Sequence, residues 1–99
     1  IGEMLSTGQP LQFCRRDPAS AEADLRRMLR ELKARAPQPK GGVYYTCVGR
    51  GPNLFGADSG ELRIIQEELG NLPLTGFYCN GEISHNRLYG YTGVLTLFL

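Results

Sequence analysis

The feature that most constrains the fold of this chain is an unbroken run of β-prone residues at positions 43–48, Val-Tyr-Tyr-Thr-Cys-Val. A strand with one solvated face alternates apolar and polar residues, whereas a strand that is covered on both faces lacks this alternation. The run therefore predicts a strand that is covered on both faces, as in a parallel sheet.

A helix is predicted before this strand. Asp17 is a favourable N-cap residue, and Pro18 suits the first helical position because its missing N–H would be unpaired there in any case. Apolar residues then recur on one stripe at helical spacing until Pro37 ends the helix. The stripe consists of Ala21, Leu25, Met28, Leu29, Leu32 and Ala36.

A second helix is predicted after the strand. Residues 58–61, Asp-Ser-Gly-Glu, resemble a capping box in which Asp stands in for Ser or Thr. Leu62, Ile65 and Leu69 then share one side of the helix, and Gly70 fits a left-handed C-terminal cap.

Three further segments are predicted as strands, at residues 11–14, 74–79 and 91–99, which gives the order β-α-β-α-β-β. Strand–helix–strand alternation favours parallel pairing, whereas the last two strands are close enough in sequence to pair antiparallel. The predicted fold is an α/β domain with a mixed sheet of about four strands and two helices. Residues 11–99 form this domain, and residues 1–10 are interpreted as a connector from an upstream region.

Charge and cysteine content bear on partners and compartment. A net charge of +1 argues neither for nor against a polyanionic partner. The basic residues of the first helix alternate with acidic ones and have no aromatic neighbours, which favours a solvated face over nucleic-acid binding. No run of about 18 apolar residues predicts a membrane span. The 3 cysteines cannot all pair internally, so a reducing, cytoplasmic compartment is expected.

Two polar loops are predicted at the carboxyl ends of parallel strands, where ligands of open α/β sheets gather. In residues 47–53, glycines flank Arg50, so backbone N–H groups can form an anion-binding nest and the guanidinium can grip a carboxylate. In residues 79–83, Asn80 can donate and accept hydrogen bonds, and Glu82 can hold an ammonium group. If the strands are adjacent, the loops face each other and can hold both ends of an amino acid.

The same loops also fit simpler roles. The glycines can serve only as turn formers while Arg50 pairs with Glu82. Cys47 fits either a reactive thiol or a small buried apolar residue. His85 with Glu82, as an acid–base pair, or with Cys47, as a nucleophile pair, is only a weak indication of a catalytic site. The wide spacing of the cysteines does not indicate a zinc site. No cofactor or metal is expected.

Three segments carry motifs that occur in the same order in one known family. Residues 39–51 contain a glycine-led strand and a Cys-x-Gly-Arg-Gly motif, followed by Asn-Leu-Phe-Gly at 53–56. Residues 72–83 form an apolar strand that ends in Asn-Gly-Glu-Ile, and residues 90–95 match a closing strand. From about residue 9 to its end, the chain resembles the C-terminal domain of the FIST family, which is found in bacterial signalling proteins and eukaryotic F-box proteins.

The resemblance implies an intracellular signal-transduction sensory domain that binds a small ligand, such as an amino acid or a similar carboxylate, and that is not an enzyme. The implied partners are this ligand and the N-terminal FIST domain of the same parent chain, with no nucleic acid and no membrane; a homo-oligomer is left open. The candidate ligand-binding residues are Cys47, Gly49, Arg50, Gly51, Asn53, Asn80, Gly81 and Glu82. The alternatives are a protein–protein interaction module with structural glycine loops and a thiol-dependent enzyme that uses Cys47.

The sequence departs from the family pattern in two respects. Ser-His-Asn at 84–86 stands where the family usually has a glycine, which changes the loop before the closing strand. The N-terminal FIST domain and the F-box are not part of these 99 residues. A pocket between the two halves of a FIST protein would therefore be only partly contained in this chain.

Overall fold

The computed structural model describes residues 4–99, so residues 1–3 of the predicted connector lie outside it. Within this range the chain forms three helices and five strands. The helices are α1 (Pro18–Arg35), α2 (Gly51–Phe55) and α3 (Gly60–Leu69). The strands are β1 (Gly41–Cys47), β2 (Leu74–Cys79), β3 (Glu82–Ser84), β4 (Arg87–Tyr89) and β5 (Gly93–Phe98). The predicted mixed α/β class is confirmed.

The strands form two sheets. In the larger sheet the order is β2-β1-β5, with β2 parallel and β5 antiparallel to β1. The two strands predicted at residues 74–79 and 91–99 thus run in opposite directions, but β1 lies between them and they do not pair. The antiparallel pair in this part of the chain is instead the short hairpin of β3 and β4, which follows the turn residues Asn80 and Gly81.

The strand predicted at residues 11–14 is wrong. These residues form neither helix nor strand and are all exposed, with the Phe13 side chain 93% accessible. A run of four alternating residues specifies a strand only when a sheet edge receives it, and no sheet neighbour is present here. Residues 49–56, predicted as a loop, contain the short helix α2.

The helices pack on one face of the larger sheet. α1 begins as predicted, because the Asp17 carboxylate accepts hydrogen bonds from the backbone N–H and the hydroxyl of Ser20 at 2.8 and 2.6 Å. α3 ends at Gly70 as predicted, and φ there is positive at 86°, but ψ of −168° lies outside the αL region of the predicted cap. The core consists of Leu25, Leu29, Tyr44, Ile64 and Ile65.

Two side chains of the predicted apolar stripes face solvent instead of this core. Met28 and Leu62 are exposed, and Ile64 occupies the position in the core that Leu62 was expected to fill. α1 and α3 instead extend their contact with ion pairs: Arg26 to Glu67 and Glu68 at 2.6 and 3.1 Å, and Arg30 to Glu68 at 2.9 Å.

The opposite face of the larger sheet has no covering element among residues 4–99. Val43 and Tyr45 on β1 are half-buried, while Phe77, Val94 and Phe98 on the flanking strands are exposed. Phe77 and Val94 are both register partners of Tyr45, and the Tyr45 and Phe77 rings meet edge to face at 5.0 Å. The prediction that β1 is covered on both faces is therefore wrong for the described part of the chain.

Candidate functional site

A buried carboxylate, Glu61, lies in the first turn of α3 and is only 4% exposed. Its Oε1 accepts hydrogen bonds from the Tyr44 hydroxyl at 2.7 Å and from Nε of Arg50 at 2.8 Å. Its Oε2 accepts one from the Thr46 hydroxyl at 2.9 Å. Three donors and the positive end of a helix dipole therefore compensate a charge that would otherwise be costly to bury.

The local sequence explains why Glu61 points inward. Tyr44 and Thr46 alternate on β1, so both side chains leave the sheet on the face that carries the helices. The predicted capping box is wrong: Ser59, in a left-handed conformation, is the residue at the cap, and its side chain makes no capping hydrogen bond. Glu61 binds the β1 hydroxyls instead of the backbone at the start of its own helix.

The charge states of this cluster follow from burial and proximity. Burial, together with the neighbouring Glu61 carboxylate, raises the pKa of Tyr44 far above its usual value, so the phenol stays protonated and donates. Burial by itself would lower the pKa of the Arg50 guanidinium, but the Glu61 charge and Tyr44 more than offset this and raise it. Arg50 and Glu61 thus form a buried ion pair.

The rest of the Arg50 side chain is also in contact with the fold. Nη1 lies 3.4 Å from the carbonyl oxygen of Tyr91, and the guanidinium carbon lies 5.0 Å from the centre of the Phe55 ring. The alternative that Arg50 pairs with Glu82 is wrong, since its acidic partner is Glu61.

The backbone of the first predicted loop is closely packed. The Arg50 N–H donates to the carbonyl oxygen of Cys47 at 2.8 Å, which closes the turn, and Nη1 of Arg16 donates to the carbonyl oxygen of Gly49 at 2.7 Å. A Cβ at Gly49 would lie 2.6 Å from the ring of Tyr91. The nest predicted here is therefore covered by aromatic and guanidinium groups in this structure.

The second loop meets the first at the carboxyl ends of β1 and β2, as predicted from adjacent parallel strands. Cys47 and Cys79 are register partners at the ends of β1 and β2, and the Val48 N–H donates to the carbonyl oxygen of Cys79 at 2.8 Å. Cys47 is buried, whereas Asn53 and Asn80 are exposed. All eight predicted residues thus lie at or just beyond the carboxyl ends of these two strands.

Glu82 is held by neighbours within this second loop. Its Oε1 accepts a hydrogen bond from the Cys79 thiol at 3.2 Å, and its Oε2 accepts one from the Thr92 hydroxyl. Burial and the Glu82 carboxylate raise the pKa of Cys79. The preceding residue, Gly81, has φ 151°, and a Cβ there would lie 2.6 Å from the carbonyl oxygen of Tyr89.

A cavity of about 340 Å³ lies between β2 and the start of α3. Glu61, Tyr44 and Thr46 form its polar wall together with Ser59. The remaining lining residues are Leu62, Leu74, Thr75, Gly76, Phe77 and Tyr78. None of the eight predicted residues lines this cavity, although Arg50 contacts its wall through Glu61. Asn53 lines a second, open cavity with a volume of about 640 Å³ between the three helices.

Sequence reasoning therefore missed the polar wall of the cavity. The separation of Glu61 from Tyr44 and Thr46, 17 and 15 residues, gave no local motif. The available signal was the alternation of two hydroxyl side chains on a strand that is followed by a helix with an acidic first turn.

The described residues contain neither a candidate metal site nor a candidate membrane span. Among residues 4–99 no group of three or more His, Cys, Asp and Glu side chains is arranged to hold a metal ion. None of the helices in the same range combines the length and the apolar character needed to cross a bilayer.

Comparison with known proteins identifies relatives. The model of the family described as the FIST C domain matches residues 1–85, so the resemblance noted at residues 90–95 lies beyond the matched range. The chain is 40% identical over 104 aligned residues to the uncharacterized protein Rv0628c of Mycobacterium tuberculosis, covering 100% of this chain and 27% of that protein. It is 31% identical over 92 residues to the F-box/LRR-repeat protein At5g63520 of Arabidopsis thaliana, covering 88% of this chain and 17% of that protein. The chain thus spans about a quarter or less of the length of these relatives.

Proposed function

Because the chain belongs to the FIST C domain family, we propose that it is the small-ligand-binding part of a signal-transduction sensor, and that its ligand is an amino acid or a similar carboxylate. The proposal includes a role in binding without catalysis, in a cytoplasmic setting, next to an N-terminal FIST domain of the same parent chain. The odd number of cysteines supports the reducing compartment.

The observation that carries this proposal is the cavity beside Glu61. Its volume of about 340 Å³ is near the lower end of the range for small-molecule sites and suits a ligand of amino-acid size. One wall is largely apolar, and the other presents a carboxylate and three hydroxyl groups. A few polar groups that converge in a largely apolar concave site are the usual arrangement for orienting a small ligand.

The hydrogen-bonding capacity of the wall points to a ligand with an N–H donor. A carboxylate offers about four acceptor positions, and the three donors described above leave one position on Oε2 of Glu61. The Tyr44 and Thr46 hydroxyls donate to Glu61 and can each still accept. We therefore place the ammonium group of the ligand at Oε2 of Glu61.

The predicted contact between Arg50 and the ligand carboxylate stays part of the proposal. A guanidinium has five N–H donors, and its hydrogen bonds within residues 4–99 use Nε and Nη1. The side chain is 15% exposed and lies at the carboxyl end of the sheet, where Asn80 and Glu82 also lie. A ligand that extends from Glu61 to this end of the sheet would contact both predicted loops.

Thermal melting of the full-length parent protein with a panel of amino acids and small organic acids tests this proposal. A ligand at about ten times its Kd stabilises by roughly 1.4 kcal/mol, which raises Tm by about 2 °C in a protein almost four times the length of this chain. A Leu62→Trp variant fills the cavity from an exposed lining position and should abolish the shift. Gln66→Trp, one turn further along α3 and outside the cavity lining, is the matched control and should keep it. No shift for any panel member would contradict the proposal.

A second candidate function, a protein-interaction module, is supported by the uncovered face of the larger sheet. Phe77, Val94 and Phe98 are 64%, 44% and 54% exposed and share this face with Tyr45. An exposed apolar surface of this kind is typical of an interaction site. If this is the main role, Val94→Lys should abolish assembly of the parent protein with its partner and leave ligand-induced melting shifts unchanged.

A further inference from the structure

The starting observation is that, among residues 4–99, β2 is an edge strand whose outer row of backbone groups has no strand partner. The carbonyl oxygen of Pro73 accepts a hydrogen bond from Gly42 of β1 at 2.9 Å, and that of Cys79 accepts one at 2.8 Å from Val48, which follows β1. Backbone groups of a strand alternate in direction, so the odd-numbered residues of β2 pair with β1. The N–H and C=O groups of Leu74, Gly76 and Tyr78 therefore point away from the sheet.

The free edge of β2 carries none of the features that prevent strand pairing. Exposed edges are commonly protected by lysine, proline or a covering segment. Residues 74–79, Leu-Thr-Gly-Phe-Tyr-Cys, contain no charged residue and no proline. Phe77 and Tyr78 are 64% and 50% exposed, so the edge presents aromatic surface as well as backbone groups.

The cavity beside Glu61 lies along this edge. Five consecutive residues of β2, from 74 to 78, line it. At its middle, Gly76 has no side chain to fill the space, and a Cβ there would overlap the carbonyl oxygen of Tyr44. A strand added to β2 would lie directly over the opening, and alternate side chains of that strand would point into the cavity and towards Phe77.

The length of the relatives indicates where such a strand would come from. The mycobacterial relatives, aligned with the whole of this chain, have only 27% of their length in the alignment. The remaining three quarters of such a polypeptide are tethered to the domain, which gives an intramolecular segment a high effective concentration at the edge.

We propose that the free edge of β2 pairs with a strand from the remainder of a longer parent polypeptide, and that this strand forms the missing wall of the Glu61 cavity. The strand has alternating character, with apolar side chains against Phe77 and small or polar side chains over the cavity. The inference rests on the proposed function only in using the same cavity, and its test involves no ligand.

Amide hydrogen exchange of the full-length parent protein and of the 99-residue chain tests the proposal. In the parent, the outward N–H groups of Leu74, Gly76 and Tyr78 should exchange about as slowly as the inward N–H groups of Thr75 and Phe77. In the 99-residue chain, the outward groups should exchange on the order of 100-fold faster than in the parent. The inward groups pair with β1 in both proteins and serve as the internal control.

Three results would overturn the proposal. The first is fast exchange of the outward amides in the parent protein while Thr75 and Phe77 stay protected. This result would overturn the proposal whether or not the shorter chain folds alone. The second is protection in the 99-residue chain that rises with concentration, which identifies a second copy as the occupant. The third is an intact native protein no longer than this chain. Absence of any ligand would contradict the proposed function and leave these exchange rates unaffected.

Discussion

Nε of Arg50 lies 2.8 Å from Oε1 of Glu61, and the two side chains are 15% and 4% exposed. This pair connects the glycine-flanked loop after β1 to the first turn of α3 and to the wall of the cavity. Arg50, which the sequence motif predicts to bind an anionic ligand group, thus forms a buried ion pair with Glu61. The structural role of Arg50 follows directly from this geometry.

Removal of the buried carboxylate should strongly destabilise the fold. Glu61→Ala leaves the Arg50 guanidinium and two hydroxyl donors without their acceptor, and loss of one partner of a buried pair costs about 3–5 kcal/mol. Urea denaturation measures the change in the free energy of unfolding. Glu67→Ala removes a carboxylate that is 48% exposed in its pair with Arg26 and should cost far less. Equal losses for the two variants would contradict the structural role of Glu61.

The hydroxyl of Tyr44 should contribute measurably through its bond to Glu61. Tyr44→Phe removes one of three donors to a buried charge, and hydrogen bonds to charged groups contribute about 1.5–3 kcal/mol. Tyr45→Phe is the matched control, because Tyr45 lies on the other face of β1 and is half-buried there. We expect a change close to zero for Tyr45→Phe in the same denaturation assay, and a reversed order would show that Tyr44 is not a donor.

Gly76 should tolerate no side chain. A Cβ at this position overlaps backbone atoms of Tyr44, so Gly76→Ala must displace β2 from β1. We expect a loss of at least about 2 kcal/mol, in the range of strongly disruptive substitutions. Gly90→Ala is the control, because a Cβ there has no neighbour within 4 Å. A Gly76→Ala variant as stable as Gly90→Ala would show that the strands are spaced differently.

The thiol of Cys79 should be a slow nucleophile near neutral pH. Burial and the Glu82 carboxylate raise its pKa, so the reactive thiolate forms only at higher pH. Iodoacetamide labelling followed by peptide mass spectrometry compares Cys79 with the exposed Cys14 of the same sample. Glu82→Gln removes the negative charge and should shift the labelling profile of Cys79 to lower pH.

The sign of the associated stability change follows from the same shift. Because the folded-state pKa of Cys79 is raised, the neutral thiol is favoured in the fold. The contribution of this thiol to the free energy of unfolding is fully present below the unfolded-state pKa of Cys79, and it is lost as pH rises through the folded-state pKa. Faster labelling of Cys79 than of Cys14 at neutral pH would contradict this description of its environment.

Local signals in the sequence predicted the elements that depend on a few adjacent residues. The Asp17 cap, the end of α3 at Gly70 and the central strand β1 were all predicted correctly. The strand at residues 11–14 was not, because a short alternating segment becomes a strand only when a sheet edge accepts it. The covering of β1 on both faces was also wrong for residues 4–99, since helices pack on one side only.

The sequence predicted correctly that the two polar loops lie together at the ends of adjacent strands, but not which side chains their residues contact. Adjacent parallel strands bring Cys47 and Cys79 together, which follows from topology. The partner of Arg50 depends instead on how α3 is oriented over the sheet. No spacing rule connects Arg50 to Glu61, and the more obvious acidic residue in sequence, Glu82, is bound to Cys79 and Thr92.

The most direct test of the central claim is an NMR titration of the full-length parent with the panel member that raises Tm most. We predict that amide shifts concentrate at the cavity wall, at Thr46, Glu61, Leu62 and Tyr78, and that Leu62→Trp removes them. Shifts confined to other parts of the molecule, or a panel in which no member raises Tm, would contradict a ligand site beside Glu61.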